Sequence, residues 1–169
     1  MKLLKPMWLV KDIVTLTPED FQKLGVRTIF IDVDNTLIAL DNPFHNQDMQ
    51  TWVKALQAKH IEVVALSNNT TKHVQTLVEP FGIPFVANAK KPTLLGLKKA
   101  MACVQAKKEY SILIGDQLFT DILAGNRMGI RTILVKSLGK KDLFATKIIR
   151  NIEKRVLGYI CRKYHLNWR

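Results

Sequence analysis

The sequence has few cysteines, few acidic residues and no long hydrophobic run, and each shortage narrows the class of protein. Only two cysteines occur in 169 residues, without a CxxC pair, so neither a disulfide framework nor a zinc finger is expected and a reducing, cytoplasmic setting is predicted. Charged residues interrupt the apolar stretch near the start, and no run elsewhere reaches the length of a membrane span. With 14 acidic against 26 basic residues the net charge is +12, which predicts an anionic partner.

Short apolar runs alternate with longer amphipathic stretches from about residue 28 onward. The runs at 28–33, 61–66, 110–114 and 132–135 are rich in Ile, Val and Leu and do not alternate with polar residues, which is typical of strands buried on both faces. Helices are expected at 47–59, 70–80, 93–104 and 119–128, with Pro92 at a first helical position. The sequence therefore predicts one α/β domain with a parallel, Rossmann-like sheet flanked by helices.

Polar residues follow three of the predicted strands directly. The carboxyl ends of parallel strands meet at one edge of the sheet, where ligands bind. We therefore expect these residues to surround one site. They are Asp32, Asp34, Asn35, Ser67, Asn68, Asn69, Gly115, Asp116 and Asp121.

Two acidic pairs, in DVD (32–34) and GDQLFTD (115–121), carry the strongest chemical signal. Asp32 and Asp34 lie on one side of the strand end, where close carboxylates repel unless a cation neutralises them or one is protonated. A metal-bound carboxylate can attack phosphorus, and a neutral neighbour can donate a proton. Asp116 adds a third acidic group, and carboxylates without His or Cys favour Mg²⁺. Alternatively, Asp32 and Asp34 form a turn and Asp121 only begins a helix.

Ser67 and Lys91 are candidates for binding an anion. Ser67 leads into a predicted helix, whose free N–H groups and positive dipole favour a phosphoryl group. Lys91 stands with Lys90 before another predicted helix start, where a cation needs a compensating anion, either a substrate phosphate or an aspartate of the same edge. The alternatives are a plain helix cap for Ser67 and a solvated pair for the lysines.

The motifs DVDNT (32–36), Ser67, Lys91 and GDxxxxD (115–121) occur in the order found in haloacid dehalogenase-like (HAD) phosphohydrolases, which the chain resembles over residues 27–135. More narrowly, IDVDNTL, LSNN, AKKP and GDQLFTDILAGNRMG are similar to the YqeG-type HAD phosphatases of subclass IIIA, a group that includes phosphatidylglycerophosphate phosphatases. The resemblance implies the HAD fold and a phosphatase activity.

The resemblance also implies roles for individual residues. Asp32 would be the nucleophile that forms an aspartyl-phosphate, and Asp34 would act as general acid and then as general base. Mg²⁺ would be bound by Asp32, Asp116 and the backbone carbonyl of Asp34, with Asp121 as a further ligand or support. The phosphoryl oxygens would be held by Ser67, Asn68 and Lys91.

HAD phosphatases usually select small substrates with an inserted cap domain. Here 33 positions separate Asp34 from Ser67 and 24 separate Ser67 from Lys91, and both intervals are already filled by predicted loop, helix and strand. We expect no cap domain. An open site leaves the exclusion of water and the choice of substrate to the substrate's own bulk or to a surface.

Residues 136–169 carry most of the excess charge, with ten Lys and Arg against two acidic residues. Drawn as a helix, the segment places an apolar arc that includes Ile149, Ile152 and Ile160 opposite a basic arc that includes Arg150 and Lys154, the pattern of a membrane-surface anchor. The alternative is an apolar arc that covers the sheet or a dimer partner, with the basic arc solvated. We expect a catalytic domain at 1–135, with an N-terminal extension at 1–26, and a basic helical segment of the same domain at 136–169.

The first hypothesis is a Mg²⁺-dependent phosphomonoesterase that acts on a lipid phosphate, such as phosphatidylglycerophosphate, in the cytoplasm or in peripheral contact with an anionic membrane. The alternatives are the same chemistry on a soluble or nucleic-acid phosphate, and a non-catalytic nucleic-acid-binding or scaffold protein. Nucleic acid is the less favoured partner because the tail has few aromatic residues for base stacking beyond Tyr159, Tyr164 and Trp168. The sequence does not determine the oligomeric state.

Overall fold

The computed structural model describes residues 2–39, 42–138 and 144–169, with the backbone only at 144–148. Within these residues, six parallel strands form one sheet in the order β1-β6-β5-β2-β3-β4. The strands are β1 (Trp8–Val10), β2 (Thr28–Ile31), β3 (Glu62–Leu66), β4 (Phe85–Val86), β5 (Ser111–Gly115) and β6 (Arg131–Val135). The α/β fold and the four long strands predicted from the sequence are confirmed.

Helices connect the strands and cover both faces of the sheet. They are α1 (Pro18–Lys23), α2 (Pro43–Ala58), α3 (Thr71–Val78), α4 (Leu95–Cys103), α5 (Leu123–Met128) and α6 (Phe144–Tyr164). Single 3-10 turns occur at Lys2–Leu4, Ile13–Thr15, Glu79–Phe81 and Lys108–Tyr110, and a π-helical turn at Leu118–Ile122 leads into α5. The described residues between Asp34 and Ser67 form α2 and β3, and those between Ser67 and Lys91 form α3 and β4, in agreement with the expected absence of a cap.

Three helix starts differ from the sequence prediction by two residues or more. α5 begins at Leu123 rather than at 119, because the π-helical turn Leu118–Ile122 precedes it. α2 begins at Pro43 rather than at 47, because the side chain of Asn42 accepts a hydrogen bond from the His45 N–H at 3.2 Å and caps the helix. The prediction that Pro92 occupies a first helical position is wrong. Pro92 follows a cis peptide bond after Lys91, and α4 starts three residues later at Leu95.

The sheet has a separate apolar layer on each face. Ile29 and Ile31 of β2 point to one side, where Trp52 of α2 and other residues of α1, α2 and α3 pack. Phe30 points to the other side, against α4 and α5. Every residue of β2 and β5 is buried, which explains why the residues that follow Thr28 and Ser111 in these strands are apolar. This packing fixes the carboxyl ends of β2 and β5 beside each other.

The two ends of the chain meet at the β1 edge of the sheet. β1 pairs with β6, and the C-terminal residues lie along its other side, where the Arg169 N–H donates to the Leu9 carbonyl at 2.9 Å. Ile160 of α6 is fully buried against Leu9 and Leu134. The N-terminal extension, described from residue 2 onward, thus supplies an edge strand. Among the described residues no helix combines the length and apolar character needed to cross a bilayer.

α6 does not pack on the domain through the apolar arc alone, as expected from the sequence. Ile160 and Glu153 face the domain, whereas Ile149 and Ile152 of the predicted apolar arc are 48% and 51% exposed. Arg150, assigned to the outward basic arc, instead points inward and contacts Asp116. Arg150 points inward because the buried carboxylate of Asp116, at the end of β5, attracts its guanidinium group.

Candidate active site

The carboxyl ends of β2, β3 and β5 bring together the residues that the sequence selected. β2 pairs in register with both β3 and β5, so the residues that follow these strands share one edge of the sheet. Asp32, Asp34, Ser67, Asn68 and Lys91 line a cleft of about 120 Å³ at this edge. The cleft is of a size for a small anionic group.

Three buried carboxylates form the floor of the site. Oxygen atoms of Asp32, Asp116 and Asp121 lie within 4.8 Å of one another. The Nζ of Lys91 is 2.5 Å from Oδ1 of Asp32 and 2.7 Å from Oδ1 of Asp121, and it also donates to the Leu66 carbonyl at 2.9 Å. One ammonium group thus contacts two of the three carboxylates.

Burial and charge act in opposite directions on these groups. Burial raises the pKa of Asp32 well above its usual range and the carboxylates of Asp121 and Asp116 raise it further, while Lys91 opposes them. Burial also raises the pKa of Asp116, as does Asp121. Burial lowers the pKa of Lys91, but the adjacent Asp121 and Asp32 outweigh it, so that this pKa lies above its ordinary value. Lys91 therefore remains charged at neutral pH.

The acidic cluster fits a divalent cation. Oδ1 of Asp116 is buried and has no hydrogen-bond partner in the described part of the chain, so it is free to accept a further positive group. The cluster contributes carboxylate oxygens from three residues, which is the ligand type that Mg²⁺ and Ca²⁺ prefer. Asp32, Asp116 and Asp121 are the residues that would hold such an ion.

Gly115 allows Asp121 to reach the cluster. A Cβ atom at position 115 would lie 2.3 Å from Cγ of Asp121, which is far inside van der Waals contact. The π-helical turn places Asp121 against β5, and the Gln117 N–H donates to its Oδ2 at 3.1 Å. The glycine before Asp116 is thus required by the close approach of a carboxylate.

Asp34 lies outside the acidic cluster and has its own set of partners. Its Oδ1 is 2.8 Å from Nε2 of His73, and its Oδ2 accepts a hydrogen bond from the Asn69 amide at 2.8 Å and from the Ser67 hydroxyl at 3.5 Å. The predicted contact between its backbone carbonyl and a metal stays a prediction. Asn69 was expected at this edge from the sequence, but His73 was not, although the first turn of a helix that follows β3 must point towards this edge.

Comparison with known proteins identifies the family. A family model for HAD-hydrolase-like proteins matches residues 88–148. Over 167 residues the chain is 38% identical to a protein of Bacillus subtilis (strain 168) named "Probable phosphatase YqeG", and the match covers 99% of this chain and 97% of that protein. The chain belongs to the YqeG-type phosphatases of the HAD family.

A more distant relative and two solved structures are also similar to this chain. This phosphatase is 28% identical over 173 residues to an Arabidopsis thaliana protein named "Phosphatidylglycerophosphate phosphatase 1, chloroplastic/mitochondrial", and the match covers 91% of the chain but only 47% of that protein. Among solved structures, an uncharacterised Listeria monocytogenes protein has a TM-score of 0.55 at 18% identity, covering 70% of this chain and 85% of the other. The cobalt-bound deoxy-D-mannose-octulosonate 8-phosphate phosphatase of Haemophilus influenzae has a TM-score of 0.50 at 20% identity, covering 68% and 71%. Both structures share the fold.

Two phosphate-binding candidates of the phosphatase have contacts that the sequence did not predict. α3 begins at Thr71, four residues after Ser67, so the interpretation of Ser67 as a helix cap is wrong. Its hydroxyl instead accepts the Asn69 N–H at 3.0 Å and faces the cleft. The side chain of Asn68 accepts the Lys91 N–H at 2.7 Å and donates to the Lys91 carbonyl at 3.0 Å, and therefore positions that lysine. Its binding of phosphate stays a prediction.

α6 extends the active site of the phosphatase in a way that the sequence did not indicate. A guanidinium nitrogen of Arg150 lies 2.8 Å from Oδ2 of Asp116. One turn further on, Glu153 accepts a hydrogen bond from the Phe119 N–H at 2.8 Å. Helical periodicity gave no signal for either contact, because it placed Arg150 among the solvated residues.

Proposed function

We propose that this phosphatase hydrolyses phosphomonoesters with Mg²⁺ through an aspartyl-phosphate formed on Asp32. The observation that carries the proposal is the position of Asp32, which is buried at the end of β2, 2.5 Å from the Lys91 ammonium and within the carboxylate cluster. Burial alone would favour a protonated and unreactive carboxyl group. The Lys91 ammonium opposes this effect, and a bound Mg²⁺ would oppose it further, so that Asp32 can act as an ionised nucleophile when the metal is bound.

The first step transfers the phosphoryl group to the protein. An oxygen of Asp32 forms a bond to phosphorus as the bond from phosphorus to the leaving oxygen breaks, and Asp34 donates a proton to that oxygen. When bound, Mg²⁺ would neutralise charge on the carboxylates and on the phosphoryl oxygens. Lys91 offsets the same charge, and the hydroxyl of Ser67 donates a hydrogen bond to the phosphoryl group.

The second step regenerates the carboxylate. Asp34, now ionised, takes a proton from a water molecule, whose oxygen bonds to phosphorus as the bond to Asp32 breaks and inorganic phosphate leaves. The contacts of Asp34 suit both steps, since His73 and Asn69 hold its side chain at the mouth of the cleft, apart from the acidic cluster. One residue can therefore act as acid and then as base.

Replacement of Asp32 tests the mechanism. Asp32→Asn keeps the shape of the side chain but removes the nucleophile, and we expect Mg²⁺-dependent hydrolysis of p-nitrophenyl phosphate to fall about a thousandfold or more. Asp48→Asn, on the exposed surface of α2, removes the same charge and should leave the rate within about twofold of wild type. Circular dichroism checks that both variants fold. A folded Asp32→Asn protein with the wild-type rate would refute the mechanism.

We further propose a lipid phosphate, such as phosphatidylglycerophosphate, as the substrate. One relative bears that substrate in its name, and the described residues form no cap over the cleft that would exclude a large leaving group. α6 also exposes Ile149, Ile152 and Tyr159, a stripe flanked by the basic residues Arg162 and Lys163. An exposed apolar stripe with basic neighbours suits peripheral contact with an anionic bilayer.

Vesicle binding and a substrate comparison test this second proposal. We expect sedimentation with vesicles of phosphatidylglycerol but not of phosphatidylcholine, and faster hydrolysis of phosphatidylglycerophosphate than of a 5′-phosphorylated RNA. Ile152→Asp should weaken vesicle binding more than Asn151→Asp, which adds the same charge at the adjacent exposed position. Preference for the RNA, or equal loss in the two variants, would contradict the proposal.

A further inference from the structure

A second cavity, of about 280 Å³, lies between α6 and the ends of β5 and β6. It is larger than the catalytic cleft, and the mechanism above does not use it. Asp116 belongs both to its wall and to the acidic cluster, while the next residue, Gln117, lines the catalytic cleft. The two spaces are therefore adjacent, so that one ligand could occupy both.

The charged groups of the cavity favour an anion. Three cationic side chains line it: Lys136 after β6, and Arg150 and Lys154 on α6. The two acidic residues of its wall already have partners, since Asp116 contacts Arg150 at 2.8 Å and Glu153 accepts the Phe119 N–H at 2.8 Å. The Arg150–Asp116 pair offsets its own two charges, so Lys136 and Lys154 outnumber the remaining carboxylate of Glu153.

The rest of the wall is apolar. Leu134 of β6, Leu157 of α6 and Trp168 near the C-terminus form this part. A site that combines clustered cations with an aliphatic and aromatic wall fits a ligand that has an anionic group next to a hydrophobic group. Inorganic phosphate or a simple sugar phosphate would leave the apolar wall without a partner.

We propose that this cavity binds the second anionic group of the substrate, a phosphodiester joined through a short polyol to the phosphomonoester in the catalytic cleft. The start of the hydrophobic part of the substrate packs against Leu157 and Trp168, and the remainder of the acyl chains stays outside with the exposed stripe of α6. Lys154 and Lys136 act as the counter-ions of the diester. The inference rests on the proposed lipid-phosphate function and assigns to α6 the specificity role that a cap has in other HAD phosphatases.

Lys154→Gln tests the site when two lipids are compared in mixed micelles. Phosphatidylglycerophosphate carries both phosphates, whereas phosphatidic acid has the same acyl chains and a phosphomonoester but no diester. We expect the wild type to prefer the first lipid, and Lys154→Gln to lower the ratio of the two kcat/KM values about tenfold through the loss of one charged contact. Arg155→Gln removes the same charge from the adjacent position of α6, outside the cavity, and should keep the wild-type ratio.

A binding measurement separates this proposal from the proposed function. Titration calorimetry with a short-chain phosphatidylglycerol below its critical micelle concentration, which has the diester headgroup and the start of the acyl chains but no phosphomonoester, should give binding that Lys154→Gln weakens about tenfold and Arg155→Gln does not. The proposed site is refuted if the wild type does not bind this ligand, or if both variants weaken binding equally. It is also refuted if Lys154→Gln lowers kcat/KM equally on both lipids. Failure of the wild type to cleave any phosphomonoester refutes the function instead, and the titration still decides whether the site exists.

Discussion

Lys91→Met should strongly destabilise the fold, because it removes the ammonium group that contacts two of the three buried carboxylates. The Lys91 side chain is 2% exposed, and its ammonium contacts Asp32 and Asp121 at 2.5 and 2.7 Å. Methionine fills a similar volume, so the change tests charge rather than packing. At neutral pH wild-type Lys91 keeps its charge, since its pKa is held above the ordinary value, and its full contribution is present.

The expected cost is about 3–5 kcal/mol, the usual effect of breaking a buried ion pair by removing one partner. That is a large part of the total of about 5–15 kcal/mol that stabilises a typical domain. The remaining carboxylates repel one another, and protonation relieves the repulsion, so the difference from wild type should shrink as pH falls. A divalent cation should also restore stability, by about 2.7 kcal/mol at a hundred times its dissociation constant.

Urea denaturation followed by circular dichroism measures these free energies of unfolding, first in EDTA and then with Mg²⁺. Lys90→Met is the matched control, because Lys90 is the adjacent lysine but is exposed. It should change the free energy of unfolding by less than about 0.5 kcal/mol. A Lys91→Met protein within about 1 kcal/mol of wild type in EDTA, with no response to Mg²⁺, would refute the electrostatic account of the cluster.

Four further perturbations test other features of the protein. In urea denaturation, Gly115→Ala should lower the free energy of unfolding by about 1–3 kcal/mol, because its Cβ would meet the Asp121 side chain at 2.3 Å. In the same assay Gly158→Ala should stabilise α6 by about 0.5–1 kcal/mol, because nothing lies within 4 Å of the added Cβ. Trp52→Phe leaves the Leu16 carbonyl without its 2.7 Å hydrogen bond and should cost about 1–3 kcal/mol in the same assay. EDTA should abolish turnover of p-nitrophenyl phosphate and lower the wild-type Tm, both restored by Mg²⁺.

The local sequence pattern was sufficient to predict the long strands but not the short edge strand β1. β2 and β5 are buried on both faces, so their apolar residues form unbroken runs that indicate strands without reference to the rest of the chain. β1 has only three residues, Trp8–Val10, and its partners are β6 and the C-terminal Trp168 and Arg169. Its conformation depends on pairing with distant segments, which no local pattern reveals.

The sequence by itself determined the parallel α/β architecture and placed Asp32, Asp34, Ser67 and Asp116 at the same edge, since these features follow from periodicity and from the geometry of parallel strands. Only the tertiary structure decided the charge balance of the site. Lys91 reaches across 59 positions to Asp32, and Arg150 crosses 34 to Asp116, although helical periodicity placed it towards solvent. Packing determines which face of α6 lies against the sheet. Burial removes the carboxylates from water, and the cluster that they form therefore requires cations.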